Sequence, residues 1–178
     1  DRPLPPGAHP RAGPTLRDVV KREAMPGVHE LPTAASLLAI RSAVAASGLD
    51  HMRPVRPRVL DAAAHARMLA TVLPQEHDRL LRLADRYDVE ALAATERSGA
   101  VVHGDLHEGQ LIVDGDRIVG VLDVDDAGPG DPVDDLATLL GHLTFRAIGN
   151  GGAGAALREY ASSLRSEFAA EIDPTALD

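Results

Sequence analysis

Cysteine and tryptophan are absent from the 178 residues, and aromatic residues make up only 2% of them. A chain without cysteine has no disulfides, no thiolate metal ligands and no cysteine nucleophile, which is typical of proteins in a reducing cytoplasm, the location expected here. Nucleic-acid binding depends on stacking platforms and basic grooves. Because the chain has few aromatic rings and a net charge of −9, no nucleic-acid partner is expected.

Long apolar runs are missing too. No segment approaches the roughly 18 apolar residues that a membrane helix needs, and the first residues lack the pattern of a signal peptide, so no membrane partner is expected. The length suits one domain with an aliphatic core. Seven of the 13 prolines lie in residues 1–32. We therefore divide the chain into a Pro-rich lead-in or interlobe segment, 1–32, and a folded body, 33–178.

Negative charge is concentrated between residues 105 and 135. This segment holds ten carboxylates and one basic residue, Arg117, so its net charge equals the −9 of the whole chain. Because the segment also carries His and Gly, it is more than a solvated acidic surface. A hard divalent cation is the expected partner.

Hydrophobic periodicity and helix-end residues predict a mainly helical body with a small β-hairpin. Thr33 is a predicted helix cap, Gly48 a helix stop and Pro74 a helix start. Asp114-Gly115 predicts a type I′ turn in a hairpin over 111–122. A short buried strand is predicted at 100–103, and helices at 15–24, 33–48, 58–72, 74–98, 132–147 and 155–170. Leu80, Leu81, Leu83 and Ala84 are predicted to face the core, as are Leu136, Leu139, Leu140 and Leu143.

Three motifs carry the chemistry: His103-Gly-Asp-Leu-His-Glu-Gly-Gln110, Asp123-Val-Asp-Asp126 and Gly130-Asp-Pro-Val-Asp-Asp-Leu-Ala137. Asp105 and Asp123 each follow a predicted strand, and the hairpin between them should bring Gln110 back toward Asp123. Oxygen ligands would then converge beside a separate carboxylate. Metal-assisted phosphoryl transfer needs this arrangement, because Mg²⁺ neutralises phosphate charge while a carboxylate orients the attacking hydroxyl.

In this order and spacing the motifs resemble the C-terminal lobe of the aminoglycoside phosphotransferase and choline kinase-like family, small-molecule relatives of protein kinases. The resemblance implies an α+β fold, in which residues 33–178 form a mainly helical kinase-like C-terminal lobe and a small β-hairpin carries the catalytic and metal loops. It also implies ATP and Mg²⁺ as cofactors and transfer of the γ-phosphoryl group to a hydroxyl. The Gly-Gln ending of the first motif resembles the maltokinase-like branch and favours a sugar, whereas acidic surroundings of Asp105 suit an amino sugar or aminoglycoside.

The resemblance also implies roles for individual residues. Asp105 would be the catalytic base, Gln110 and Asp123 the Mg²⁺ ligands, and Asp125 a further candidate ligand. Gln110 stands where the family has Asn, and it keeps the carbonyl oxygen that Mg²⁺ requires. His107 would be an outer contact of the site or an exposed side chain. Three further residues are expected to support the loop structurally: His103, Asp131 and Asp135.

The chain departs from the family pattern in one respect. Its single lysine, Lys21, follows no glycine-rich hairpin, so the family's N-terminal lobe is expected outside this chain, in the same protein or in another one. The alternatives are a non-catalytic pseudokinase-like binding module and a metal-dependent hydrolase. A hydrolase would use His103, Asp105 and His107 as ligands, or Asp123 as a nucleophile. It is disfavoured because His142 is expected inside an apolar helix and forms no second histidine cluster.

Overall fold

The computed structural model describes residues 13–21, 30–97, 99–149 and 153–171. The end of the first predicted helix and the centre of the glycine-rich joint before the last helix lie outside these residues. The elements, in chain order, are α1 (Leu16–Val20), α2 (Ala34–Ala45), α3 (Arg58–Val72), α4 (His77–Arg97), β1 (Ala100–Val102), β2 (Leu111–Asp114), β3 (Arg117–Val121), β4 (Gly128–Gly130), α5 (Pro132–Gly149) and α6 (Gly154–Glu171).

The mainly helical α+β fold is confirmed. Thr33 caps α2, because its hydroxyl accepts a hydrogen bond from the Ser36 N–H at 3.2 Å, and Gly48 after the helix has a φ of 76°. The prediction for α3 is confirmed to the residue. Pro74 begins a 3₁₀ turn rather than an α-helix, and α4 follows from His77.

Helix α1 belongs to the folded core. A capping box joins Thr15 and Asp18 at its start, and the hydrogen bond from the Thr15 side chain lowers the pKa of Asp18. Leu16 and Val20 are fully buried, and Thr15 forms an isolated bridge with Ile112. The lead-in therefore contributes a packed helix beside the β-hairpin.

The strands form two antiparallel pairs, β1 with β4 and β2 with β3. Asp114 pairs with Arg117 at the end of the hairpin, so Gly115 and Asp116 are the central residues of the turn. Gly115 has a φ of 61°, and Asp116 does not have a positive φ. A type I′ turn requires positive φ at both central residues, so the predicted turn type is wrong, although the hairpin itself is confirmed.

Helices α5 and α6 supply much of the aliphatic core. Leu136, Leu139, Leu140 and Leu143 of α5 are buried as predicted. The prediction for α4 is only partly right, because Ala84 is fully buried while the predicted core residues Leu80, Leu81 and Leu83 are half-buried. Leu83 borders a cavity of about 1070 Å³ between α3, α4 and α5. Among the described helices, none is both long and apolar enough to cross a bilayer.

Candidate functional site

The loop predicted to be catalytic, residues 103–110, is called the catalytic loop here; it connects β1 to β2 and is fastened by α5. The Asp135 carboxylate accepts hydrogen bonds from the His103 N–H at 2.7 Å and from the Gly104 N–H at 2.9 Å. Burial raises the pKa of Asp135, although these two hydrogen bonds oppose the rise. Gly104 has a φ of 86°, and an added Cβ would lie 2.9 Å from the Asp126 carbonyl oxygen. The loop therefore has little freedom at its first two residues.

His103 joins the catalytic loop to the end of β3. Its ring is fully buried, and its Nε2 lies 2.8 Å from the Leu122 carbonyl oxygen, to which it must donate because a carbonyl only accepts. Its Nδ1 accepts a hydrogen bond from the Asp105 N–H at 3.3 Å. Both ring nitrogens are thus engaged within the protein. This argues against His103 as the metal ligand of a hydrolase and brings Asp105 to the same end of the structure as Asp123.

Gln110 and Asp123 meet across the base of the hairpin. The Gln110 side-chain nitrogen donates to Asp123 Oδ2 at 3.0 Å. The Leu122 backbone N–H donates to the Gln110 backbone carbonyl oxygen at 2.8 Å. Among the described residues, Asp123 is the only non-glycine residue with positive φ, 58°. Such strained backbone is concentrated at functional sites. A carboxylate and an amide oxygen form the hard donor set that suits Mg²⁺.

Asp125 is placed differently from Asp123. It lies with Asp126 in an exposed 3₁₀ turn, Val124–Asp126, and lines a cavity of about 410 Å³. The charged residues around this cavity carry both signs: Arg53, Arg56, Arg58, Asp61, Asp125 and Asp126. The cavity is therefore polar without being dominated by carboxylates.

Asp105 is held by Arg58, a residue that the sequence analysis missed. Arg58 Nη2 donates to Asp105 Oδ1 at 3.1 Å, and the same guanidinium donates twice to the Gly104 carbonyl oxygen, at 3.0 and 2.6 Å. The Asp105 side chain is 40% exposed, so a substrate can reach it. Arg58 starts α3, 47 residues earlier in the chain, and no local pattern points to this contact.

Asp131 connects α5 with the end of α4. Its carboxylate accepts hydrogen bonds from Arg97 Nε at 3.0 Å and Nη2 at 2.7 Å, and from the Val133 N–H at 3.0 Å. The hydrogen bond to Asp131 raises the pKa of Arg97 further above its usual range. Asp131 is 2% exposed, so it is turned toward the protein interior.

Glu108, within the catalytic loop, is the centre of a buried ion-pair cluster with Arg17 and Arg146 that the sequence analysis also missed. Its side chain is fully buried, and Oε1 accepts hydrogen bonds from Arg17 Nε at 3.2 Å and from Arg146 Nε. The Arg17 backbone N–H also donates to the Glu108 carbonyl oxygen at 2.9 Å. Burial acts to raise the pKa of Glu108, but the hydrogen bond and charge of Arg146, together with a backbone hydrogen bond and Arg17, outweigh it, so the pKa is lowered. Glu108 thus ties α1 and α5 to the loop.

His142 differs from its prediction. It lies within α5 as expected, but it is not isolated, since its side chain is 45% exposed and its ring stacks on His107 with centroids 4.8 Å apart and planes 11° apart. With Glu108 these rings form a three-residue group of metal-ligand types. Lone pairs of stacked rings lie in parallel planes and do not converge on one ion, and Arg17 and Arg146 already neutralise the carboxylate. The group is therefore a packing cluster and not a metal centre.

Comparisons with known proteins identify the family of the chain. Comparison with curated proteins found no match. Among solved structures, the chain is similar to aminoglycoside phosphotransferase APH(3'')-Id from Streptomyces rimosus ATCC10970 in complex with ADP and streptomycin, at 23% identity and a TM-score of 0.43. The match covers 84% of this chain and 64% of that one, so the chain spans less than two thirds of that protein. The family model described as "Phosphotransferase enzyme family" matches residues 22–170. Because this match covers most of its length, the chain belongs to the phosphotransferase enzyme family.

Proposed function

We propose that the chain is the acceptor- and metal-binding lobe of an ATP-dependent kinase that phosphorylates a hydroxyl group of a small molecule. The observation that carries this proposal is a continuous series of contacts. Asp105 Oδ2 lies 3.9 Å from His107 Nε2. The same His107 nitrogen lies 3.5 Å from the Gln110 amide nitrogen, and that amide nitrogen lies 3.0 Å from Asp123 Oδ2. One carboxylate and two candidate metal ligands thus share one exposed surface.

Asp105 is assigned as the base. Its half-exposed carboxylate would accept a hydrogen bond from the acceptor hydroxyl and orient the oxygen toward the γ-phosphorus of ATP. As the new oxygen–phosphorus bond forms, the bond from the γ-phosphorus to the ADP oxygen breaks, and the hydroxyl proton passes to Asp105. Arg58 holds one Asp105 oxygen at 3.1 Å, so the other oxygen is available to the acceptor.

Gln110 and Asp123 are assigned as the residues that hold Mg²⁺, which would neutralise charge on the transferring phosphoryl group. The Gln110 amide nitrogen and Asp123 Oδ2 are already adjacent, and both side chains lie at the base of the hairpin. Asp125 is kept as a further candidate ligand, because it follows Asp123 by two residues and faces the adjoining cavity.

The acceptor is proposed to be a sugar in preference to a polycationic aminoglycoside, with an amino sugar as the intermediate case. Support comes from the arginines that the acidic sequence pattern concealed. Arg58 contacts the base directly, and Arg53 and Arg56 line the adjoining cavity together with three aspartates. Mixed charge suits a ligand with many hydroxyl groups, whereas a polycation would favour uniformly acidic walls.

The test is ATP-dependent phosphorylation by the purified protein across maltose, other neutral sugars, amino sugars and aminoglycosides. We expect Asp105→Ala to lower kcat by about 10²–10⁴, the usual cost of a lost acid–base group. Asp114→Asn is the matched control, because Asp114 is an exposed carboxylate at the hairpin turn, and it should retain full turnover. Wild-type kcat in the Asp105→Ala protein would overturn the assignment of the base.

The same assay separates the proposal from its main alternative. A binding module that has lost catalysis would bind nucleotide without consuming it at any acceptor concentration. Metal-dependent release of ADP with an acceptor from the panel supports the kinase. Nucleotide binding with no ADP release across the whole panel would favour the binding module.

A further inference from the structure

The ring of His107 is fixed in one tautomer by its surroundings. Its Nδ1 accepts a hydrogen bond from the Gly109 N–H at 2.9 Å and lies 3.3 Å from Arg17 Nη2. A backbone N–H and a guanidinium can only donate, so Nδ1 carries no proton. A neutral imidazole holds one proton, which must therefore be on Nε2. Burial lowers the pKa of His107 and favours this neutral form.

The protonated Nε2 of His107 faces the proposed metal ligands. It lies 3.5 Å from the Gln110 amide nitrogen and 3.9 Å from Asp105 Oδ2. Both His107 Nε2 and the Gln110 nitrogen are donors, so no hydrogen bond joins them in this orientation. Half a turn of the Gln110 amide about its last torsion exchanges its nitrogen and oxygen. The oxygen would then accept from His107 and lie beside Asp123.

The orientation of the Gln110 amide depends on what Asp123 contacts. Without a cation, the ionised Asp123 favours the amide N–H, which donates to it at 3.0 Å. Beside a divalent cation, the carbonyl oxygen is required instead.

We propose that His107 is a positioning residue that selects the metal-binding orientation of Gln110 by donating its Nε2–H to the amide oxygen. This inference rests on the proposed function, since it assumes that Gln110 is a metal ligand. It also explains a role for the buried ion-pair cluster of Glu108, which is to hold the His107 ring in place. Glu108 holds Arg17 at 3.2 Å, Arg17 faces His107 Nδ1, and the stacked His142 ring keeps the imidazole in place.

The test measures binding of Mn²⁺, as a paramagnetic probe of the Mg²⁺ site, to the purified protein with ADP. In His107→Asn the Asn oxygen keeps an acceptor for the Gly109 N–H, as in an Asx turn, but no donor remains at the Nε2 position. We expect Mn²⁺ affinity to fall about 10–100-fold, as is usual when the partner of a metal ligand is removed. His107→Gln, which keeps an N–H near that position, should recover part of the loss. His77→Asn is the matched control, because His77 begins α4 and its ring donates to the Ala70 carbonyl oxygen of α3, and it should bind Mn²⁺ normally.

A second background distinguishes positioning from mere support of the loop. In Gln110→Glu the side chain ends in two equivalent carboxylate oxygens, so no amide orientation remains to be selected. We expect His107→Asn to weaken Mn²⁺ binding by less than roughly threefold there, a coupling that a double-mutant cycle measures directly. Equal weakening in both backgrounds would overturn the inference while leaving the proposed metal site intact. No Mn²⁺ binding by the wild-type protein would instead overturn the metal site itself, and the inference with it.

A spectroscopic measurement checks the tautomer without any variant. The nitrogen-15 spectrum of the metal-free protein should show the His107 ring with a protonated Nε2 and an unprotonated Nδ1. A proton on Nδ1 would overturn the inference, because His107 could then accept from the Gln110 amide and would favour the orientation that faces its nitrogen toward Asp123.

Discussion

The acidic segment supplies two sets of carboxylates: a buried lower set, Glu108, Asp131 and Asp135, and an accessible upper set, Asp105 and Asp123. Below the loop, Glu108, Asp131 and Asp135 are at most 2% exposed and are engaged by arginines or by backbone N–H groups. Above it, Asp105 and Asp123 are accessible. Burying an unpaired charge costs several kcal/mol, so the buried carboxylates all have partners. Asp105 also has a partner, Arg58, so the comparison teaches that burial, more than residue type or pairing, separates the supporting carboxylates from those proposed to act chemically.

The strongest test of the upper set is Asp123→Ala. This variant removes a proposed metal ligand that lies at the surface, so we expect loss of Mg²⁺-dependent ATP turnover. The free energy of unfolding should fall by only about 1 kcal/mol, because Ala is less favoured than Asp at the positive φ of this position. Turnover and thermal melting are measured on the same preparation, with Asp114→Asn as the control. An unchanged Mg²⁺ titration would remove Asp123 from the site and would break the comparison on its upper side.

The matching test of the lower set is Glu108→Gln. The change keeps the shape of the side chain but removes the charge that Arg17 and Arg146 share, so we expect a loss of about 2–3 kcal/mol in stability at pH 7. Because the folded-state pKa of Glu108 is lowered, its contribution is present above its unfolded pKa and is lost as the pH falls through the folded value. Chemical denaturation at several pH values checks this, and a constant difference down to acidic pH would contradict it.

The smallest expected effect concerns Asp134, which is half-buried and belongs to neither set. Burial raises its pKa from 3.8 to about 6, and its carboxylate accepts a hydrogen bond from the Arg58 N–H at 3.1 Å. Because the folded pKa exceeds the unfolded one, ionised Asp134 destabilises the fold above pH 6, and this penalty disappears as the pH falls to about 4. Asp134→Asn should therefore stabilise the protein by about 1 kcal/mol at pH 7 and not at pH 4.

Asp135→Asn is the comparison for that measurement. Asp135 accepts two backbone N–H groups, and an Asn amide can accept only one of them, so this neighbouring substitution should destabilise the protein at pH 7. A gain in stability from Asp135→Asn, or none from Asp134→Asn, would show that the two adjacent carboxylates are not distinguished as the structure indicates.

Much of the local structure could be predicted from the sequence because its causes are local. The Thr33 cap, the α3 boundaries and the β-hairpin follow from side chains that act within a few residues of themselves. The turn type was missed because the strand register moved the central pair to Gly115-Asp116. The partial exposure of the α4 leucines was missed because periodicity identifies an apolar face but not how closely another helix covers it.

The sequence by itself determined the three motifs, their order and hence the family, since these depend on residue identity and spacing. Only the tertiary structure decided which charges cancel. Arg17 reaches Glu108 across 91 positions, and Arg58 reaches Asp105 across 47. Such pairs form when packing brings distant elements together, and no local pattern encodes them. The same packing reinforces the His107 tautomer that the neighbouring Gly109 N–H already favours, because Arg17 donates to the ring only once α1 has packed against the catalytic loop.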